Sequence, residues 1–221
     1  MLKIAIDGPG GAGKSTVAKA VAAKMGIVYV DTGALYRTVG YYVRQKDIDP
    51  KDRQGVSAIL GEITIEIKYV DGKQHVYLNG EDLGDRIRTP EMSMYASAVS
   101  AIGEVRSFLL DTQRDIAKKN SVIMDGRDIG TVIFPDAEVK IFLFANDEVR
   151  AKRRYLELQE KGIETTYEEV LSDMQKRDEN DRTRAVAPCL PAEDAVMLDS
   201  SYLNIDETVE AILGIIAEKI K

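Results

Sequence analysis

Apolar positions along the chain fall first into short, near-continuous runs that stop at polar residues. Leu2 to Ile6 precedes Asp7-Gly8, Ile27 to Val30 precedes Asp31-Thr32, and Ser121 to Met124 precedes Asp125-Gly126; Val139 to Phe144 and Ala195 to Leu198 complete the set. Strands covered on both faces read this way, and the stretches between them carry helical spacing. The pattern predicts an α/β fold with a central parallel five-stranded sheet flanked by helices. Ligands of such sheets bind beyond the carboxyl ends of the strands, so Gly8, Thr32, Asp125 and their neighbours are expected in one cleft.

Between Gly61 and Arg88 the period changes to two. Ile63, Ile65, Ile67 and Tyr69 alternate with Thr64, Glu66 and Lys68, and Asp71-Gly72 and Asn79-Gly80 offer hairpin turns around His75 to Leu78. A small antiparallel insertion is expected there. Helical periodicity then predicts helices over Pro90 to Lys119, Asp147 to Glu160, Thr166 to Arg184 and Asp206 to Lys219, with no internal repeat.

Composition narrows the chemistry. The 221 residues, 44% hydrophobic and 30% charged, suit one compact soluble domain. One histidine, His75, and one cysteine, Cys189, exclude a Cys/His zinc site and an intramolecular disulfide; Cys189 reads as a packing residue. A formal charge of −7 disfavours coating a polyanion, and no apolar stretch is long enough to span a bilayer. A cytoplasmic protein is expected, with no nucleic-acid or membrane partner.

Gly8-Pro9-Gly10-Gly11-Ala12-Gly13-Lys14-Ser15, followed by Thr16, matches the phosphate-binding loop pattern between a strand and a helix. Glycines let successive backbone amides wrap phosphate oxygens, and the following helix adds its positive end. Lys14 neutralises the β and γ oxygens, and the Ser15 hydroxyl is placed to ligate Mg²⁺. Asp125 is a further candidate, through a metal-bound water. No Asn-Lys-x-Asp guanine reader follows, and the arginines are interleaved with carboxylates rather than tracking a strand. These features disfavour a GTPase switch and a nucleic-acid motor, and leave phosphoryl transfer to a small acceptor.

Such transfer needs a second cationic pocket. On the helix capped by Thr166 and Glu169, the stripe Tyr167, Val170, Met174 continues into Arg177, Asp181 and Arg184, which puts charge on the inward face. Either an anionic ligand or a salt-bridged helix end satisfies it. Arg106 lies three and four residues before Leu109 and Leu110, on an apolar face, as a ligand group or as a stem covering the core. Arg127 and Asp128 follow a buried-type strand, in a site or in a charged turn; Thr32 and Arg37 follow another, with Thr32 also a candidate helix cap. Arg150, Arg153 and Arg154 precede a loop from Gln159 to Gly162, as a lid supplying charge or as a solvated face.

The phosphate loop, Asp31 to Arg37, Asp125 to Pro135 and Arg177 to Pro188, together with the antiparallel insertion, resemble bacterial-type cytidylate kinases from end to end. The resemblance implies one P-loop kinase domain over 1–221. It has a core at 1–36, 100–150 and 185–221, a monophosphate-binding lobe at about 37–99 carrying the insertion 61–88, and a short lid with its following helix at about 150–184. It implies ATP with Mg²⁺ as donor and CMP or dCMP as acceptor, in a monomer. Thr32, Arg177 and Asp181 are then expected at the sugar, Arg37 and Arg127 at the phosphate, and Ser97, Arg106, Asp128 and Arg184 around the cytosine. Lys14, Arg127, Arg150, Arg153 and Arg154 are the expected catalytic cations. Another P-loop small-molecule kinase and a non-catalytic nucleotide-binding protein remain the alternatives.

Overall fold

The structure, a computed structural model, describes residues 1–70 and 72–220. The apolar runs become strands β1 (Lys3–Asp7) and β2 (Val28–Asp31). The alternating segment forms β3 (Ile65–Val70), β4 (Lys73–Leu78) and the two-residue β5 (Glu81–Asp82); the later runs form β6 (Val122–Gly126), β7 (Val139–Phe144) and β8 (Val196–Asp199). Helices are α1 (Lys14–Met25), α2 (Thr32–Gln45), α3 (Arg53–Ala58), α4 (Pro90–Val99), α5 (Gly103–Lys119), α6 (Asp147–Glu160), α7 (Tyr167–Thr183) and α8 (Ile205–Lys219).

The main sheet is parallel, in the order β2-β6-β1-β7-β8. Alternation along its strands feeds two separate cores. Ile4, Ile6, Ile123 and Ile141 meet α1 and α8 through Val17, Val21, Val209 and Ile212, while Ala5, Val122 and Met124 meet Ile129, Ile133 and Phe134 on the opposite face. A third apolar cluster, drawn from Ala34 to Leu109, joins α2, α3, the β3-β4-β5 sheet, α4 and the start of α5. Asn79 and Gly80 take positive φ in the β4–β5 turn, as that hairpin requires. Asp71 of the other expected turn lies outside the described residues.

One expected helix is two. Pro90 to Lys119 breaks at Ser100 to Ile102, because Thr89 caps one helix with Pro90 at its first position and Gly103 opens another after extended Ile102. Helical spacing persists across the gap, which hid the break. The remaining expected helices agree with α6, α7 and α8 to within a residue of their ends.

Strand register aligns the functional ends. Asp7 pairs with Gly126 and Asp31 with Asp125, so three strand termini open at one level. Asp7 then organises the next turn: its two oxygens accept the Ile129 and Gly130 amides, each at 2.7 Å, and thereby hold the backbone that follows Asp128. Asp7→Asn sets a donor against one of these buried amides. It should cost about 1–3 kcal/mol of unfolding free energy, measured by urea titration, whereas an unchanged midpoint would reject the anchoring role.

Candidate active site

The loop between β1 and α1 is shaped by close packing. Gly8 has φ 145°, and a Cβ there would lie 1.9 Å from the Leu143 carbonyl oxygen, so no other residue fits. Gly13, at φ 87°, turns the chain into α1 without any side-chain cap, which leaves the helix's first amides to a ligand. Lys14 is buried beneath the loop, its Nζ donating to the Pro9 carbonyl at 2.6 Å. Burial and the positive charge of Arg127 hold its pKa down to about 7. Ser15 Oγ donates to Asp125 Oδ2 and the Tyr29 hydroxyl to Asp125 Oδ1, both at 2.8 Å, while Thr32 Oγ1 donates to the Asp125 carbonyl at 2.7 Å.

Ser15 and Asp125 supply hard oxygen donors, the chemistry Mg²⁺ prefers. Among the described residues no cluster of three or more His, Cys, Asp or Glu forms a metal cage. A magnesium ion that keeps water and phosphate oxygens in its shell fits a hydroxyl and a carboxylate of this kind; one bound by protein alone does not.

Opposite the loop, Asp181 is the hub of an arginine cluster. Its Oδ2 accepts Arg127 Nε at 3.0 Å and lies 4.0 Å from Arg177 Nε; its Oδ1 accepts Ser97 Oγ at 3.1 Å and lies 3.7 Å from Arg184 Nη1. Burial pushes this carboxyl up, but Arg127, Arg177 and Arg184 together hold it below the usual carboxylate range. Arg177 shows the reverse strain: burial and then Arg127 lower it to about 10. Asp128 Oδ2 pairs with Arg106 Nη2, with Arg184 Nη2 3.9 Å from its Oδ1, and Arg106 lies over the Tyr36 ring, 5.4 Å from the centroid. Arg37 Nη2 donates to Asp31 Oδ2 at 2.8 Å, and Arg88 Nη1 stands 4.0 Å from the same oxygen.

Loop and cluster face each other across Gly10. A side chain on Gly10 would begin 3.7 Å from Arg127 Nη2 and 4.0 Å from Arg177 Nη1. Arg37 Nε, Arg177 Nε, Arg184 Nη2 and the Tyr36 hydroxyl are buried and have no hydrogen-bond partner in the protein. Buried donors are ordinarily satisfied, so these are open to an acceptor that the protein does not itself provide.

The structure therefore gathers Lys14, Ser15, Thr32, Arg37, Ser97, Arg106, Arg127, Asp128, Arg177, Asp181 and Arg184 around one cleft. The three arginines of α6 separate. Arg150 reaches the loop, donating to Gly10 O at 2.7 Å and Ala145 O at 2.9 Å. Arg153 and Arg154 are not brought to it: Arg153 donates to the Ser200 and Leu203 carbonyls, and Arg154 pairs with Glu157. A helical side chain leans toward its own N-terminus, so only the first-turn arginine reaches back over the strand ends. Asp31, rather than Thr32, caps α2 by accepting Ala34 N. Gly11 and Thr16 are exposed, and Cys189 is buried with its amide on Asp181 O.

Asp7, Asp31, Arg88, Ser100 and Asp178 escaped the sequence reading. Ser100 accepts Arg106 on its carbonyl and Arg184 on its hydroxyl, at 3.1 and 2.9 Å. Gly103, which opens α5 after extended Ile102, marks the helix break that frees the Ser100 carbonyl.

A glycine-rich loop at the end of the first strand of a parallel sheet, with a facing arginine pocket, defines a P-loop phosphotransferase. The chain belongs to the cytidylate kinase family, whose model matches residues 4–218. It is similar to the cytidylate kinase of Caldicellulosiruptor bescii, 51% identical over 220 residues spanning 100% of this chain and 97% of that one. It is likewise similar to that of Fervidobacterium nodosum, 52% identical over 217 residues, 98% and 97% of the two chains. In fold it also resembles an uncharacterized protein from Eubacterium ventriosum, with a TM-score of 0.54 and 14% identity over 98% of this chain and 99% of that one.

The depressed Lys14 has a measurable consequence. Anionic phosphate next to its ammonium restores the charged form, so above about pH 7 triphosphate binding takes up a proton and weakens as pH rises. Calorimetry in buffers of different ionisation heat should record that uptake near about pH 8, and Lys14→Ala should abolish it and cut turnover by about two to three orders of magnitude. Equal proton uptake in wild type and variant would assign the titration elsewhere.

Proposed function

We propose that the chain transfers the γ-phosphoryl group of ATP to a phosphate oxygen of CMP or dCMP, giving ADP and CDP or dCDP. The observation that carries this reading is the set of unpartnered buried donors, Arg37 Nε, Arg177 Nε and Arg184 Nη2, in the cluster facing Gly10. An acceptor phosphate between that cluster and the loop satisfies guanidinium groups and stands in line with a donor phosphate cradled by residues 8–16. The reading gives Arg37 and Arg127 the acceptor phosphate, and Thr32, Arg177 and Asp181 the sugar. Residues 37–99 act as the acceptor lobe and 150–184 as the lid. Gly8, Pro9, Gly10, Gly11, Ala12, Gly13, Lys14, Ser15 and Thr16 hold the donor.

Chemistry then reduces to positioning and charge neutralisation. The attacking phosphate oxygen is already anionic near neutral pH, its second pKa being about 6, so no general base is needed. Lys14 and Arg127 offset charge on the transferring group, with Arg150 tying the loop backbone to α6 and α7. Arg153 enters this scheme only on leaving the Ser200 and Leu203 carbonyls, and Arg154 only on leaving Glu157 of its own helix. Ser15 and Asp125 are the residues that would hold Mg²⁺, which would screen the donor's phosphate charge. No helix among the described residues is long and apolar enough to cross a membrane.

Base choice falls to Asp128. Its Oδ2 is taken by Arg106, which leaves Oδ1 to accept the exocyclic amine that cytosine has and uracil lacks. ADP formation from ATP, measured across the common nucleoside monophosphates, should be fastest with CMP and dCMP. Asp128→Asn should lower kcat/KM for CMP by about tenfold or more while changing that for UMP less; equal losses would remove Asp128 from base reading. A maximum on a different monophosphate would replace the acceptor assignment itself.

Asp181 offers the sugar test. Asp181→Ala should reduce kcat/KM further with CMP than with dCMP, by about threefold to tenfold, through loss of a 2′-hydroxyl partner. A matched loss on both would limit Asp181 to orienting Arg127, Arg177 and Arg184.

A further inference from the structure

Asp178 follows Arg177 on α7 and turns its carboxylate back to the phosphate loop. Oδ1 accepts the Gly10 amide at 3.2 Å, and Oδ2 accepts Arg150 Nη1, which also donates to the Gly10 carbonyl. The same carboxylate is near enough to Arg127 and Arg177 to favour their charged forms. A loop amide and a ring of guanidinium groups are the donors that a phosphoryl group recruits. Here a side chain of the protein engages them, where the donor loop faces the acceptor cluster.

We propose that Asp178 is a positioning residue that holds Gly10 and Arg150 as an internal substitute for the phosphoryl group, and that the bound triphosphate must displace it. The inference rests on the reading of residues 8–16 as the donor site. While in place, the carboxylate both occupies the Gly10 amide and repels an incoming polyanion, so it weakens donor binding when no acceptor is present. By holding the donor off in the absence of an acceptor, it also limits how much bound ATP is open to attack by water. In that side reaction the water oxygen bonds to the γ-phosphorus and the bond to the β,γ-bridging oxygen breaks, releasing ADP, inorganic phosphate and a proton. Displacing Asp178 shifts the helical turn that carries Arg177 and Asp181, so donor entry is coupled to the acceptor cluster through neighbouring residues of one helix.

The decisive variant is Asp178→Asn, which keeps shape and removes charge; Arg150 retains Ala145, Gly10 and Asp147 as acceptors. Binding of a non-hydrolysable ATP analogue with Mg²⁺, measured without acceptor, should tighten by about threefold to tenfold, and acceptor-independent ADP release should rise by about threefold or more. Asp178→Ser should reproduce both shifts and stands in for Asn if that variant does not fold. Asp178→Glu, which restores the charge, should bring both back toward wild type. Analogue binding that is unchanged or weaker, with ADP release at the wild-type level, would overturn the proposal and leave Asp178 a brace for Arg150. A wild-type protein that fails to bind the analogue would instead defeat the donor-site reading.

Discussion

The structure turns on confining more guanidinium groups than carboxylates in one largely buried space. Arg37, Arg106, Arg127, Arg177 and Arg184 share Asp31, Asp128, Asp178 and Asp181, and several of their donors stay unmet. Two unit charges about 4 Å apart at an effective dielectric of about 20 interact by about 4 kcal/mol, so like charges confined in one buried site are costly unless an anion intervenes. The pKa values of Arg177 and Lys14, lowered first by burial and then by the charge of Arg127, carry part of that cost on both sides of Gly10. A phosphate placed between them relieves it, and the relief is available only to a ligand bearing charge on both of its neighbours' sides.

What makes this arrangement possible is the parallel sheet. Its register brings Asp7, Asp31 and Asp125 to one level, and each is then used by backbone or side-chain donors of neighbouring segments: Ile129 and Gly130 on Asp7, Ala34 and Arg37 on Asp31, Ser15 and Tyr29 on Asp125. The carboxylates at the strand ends are thus fasteners that aim the loops, while Arg127, carried by one of those loops, faces Gly10. A buried polar network of this kind has few alternatives once every acceptor is assigned, which is how a set of loops acquires a single geometry.

Much of this was legible beforehand where a local rule carries the signal. Continuous apolar runs revealed the five strands, period-two alternation revealed the β3-β4 hairpin, and the stripe that ends in Arg177, Asp181 and Arg184 placed charge on an inward helix face. The remainder depends on partners remote in sequence. Nothing around Asp178 distinguishes it from the exposed Glu179 beside it; its contact with Gly10 spans 168 positions. Arg150, Arg153 and Arg154 share one helix, and only their partners separate them: Gly10 for the first, Ser200 and Leu203 for the second, Glu157 for the third. Ser100 acts through a carbonyl freed by a helix break, and a backbone group has no signature in the side-chain pattern.

The members of the cluster also come from separate packing units. Arg37 and Arg106 stand on helices α2 and α5, which pack into the apolar cluster between Ala34 and Leu109. Arg127 leaves the main sheet, and Arg177 and Arg184 come from α7, whose own small core joins Val170 and Met174 to α6 through Ala151, Leu158 and an edge-to-face Tyr155–Tyr167 pair. Polar contacts among charged groups, rather than a continuous apolar core, join these units at the cleft. Such a junction responds to charge: an anion that engages arginines from all three units draws them together, and its departure returns the repulsion that opens them. On the proposed reading, the guanidinium groups assigned to the acceptor also draw the units that carry them together around it, and that closure would exclude the water that competes for the transferring phosphoryl group.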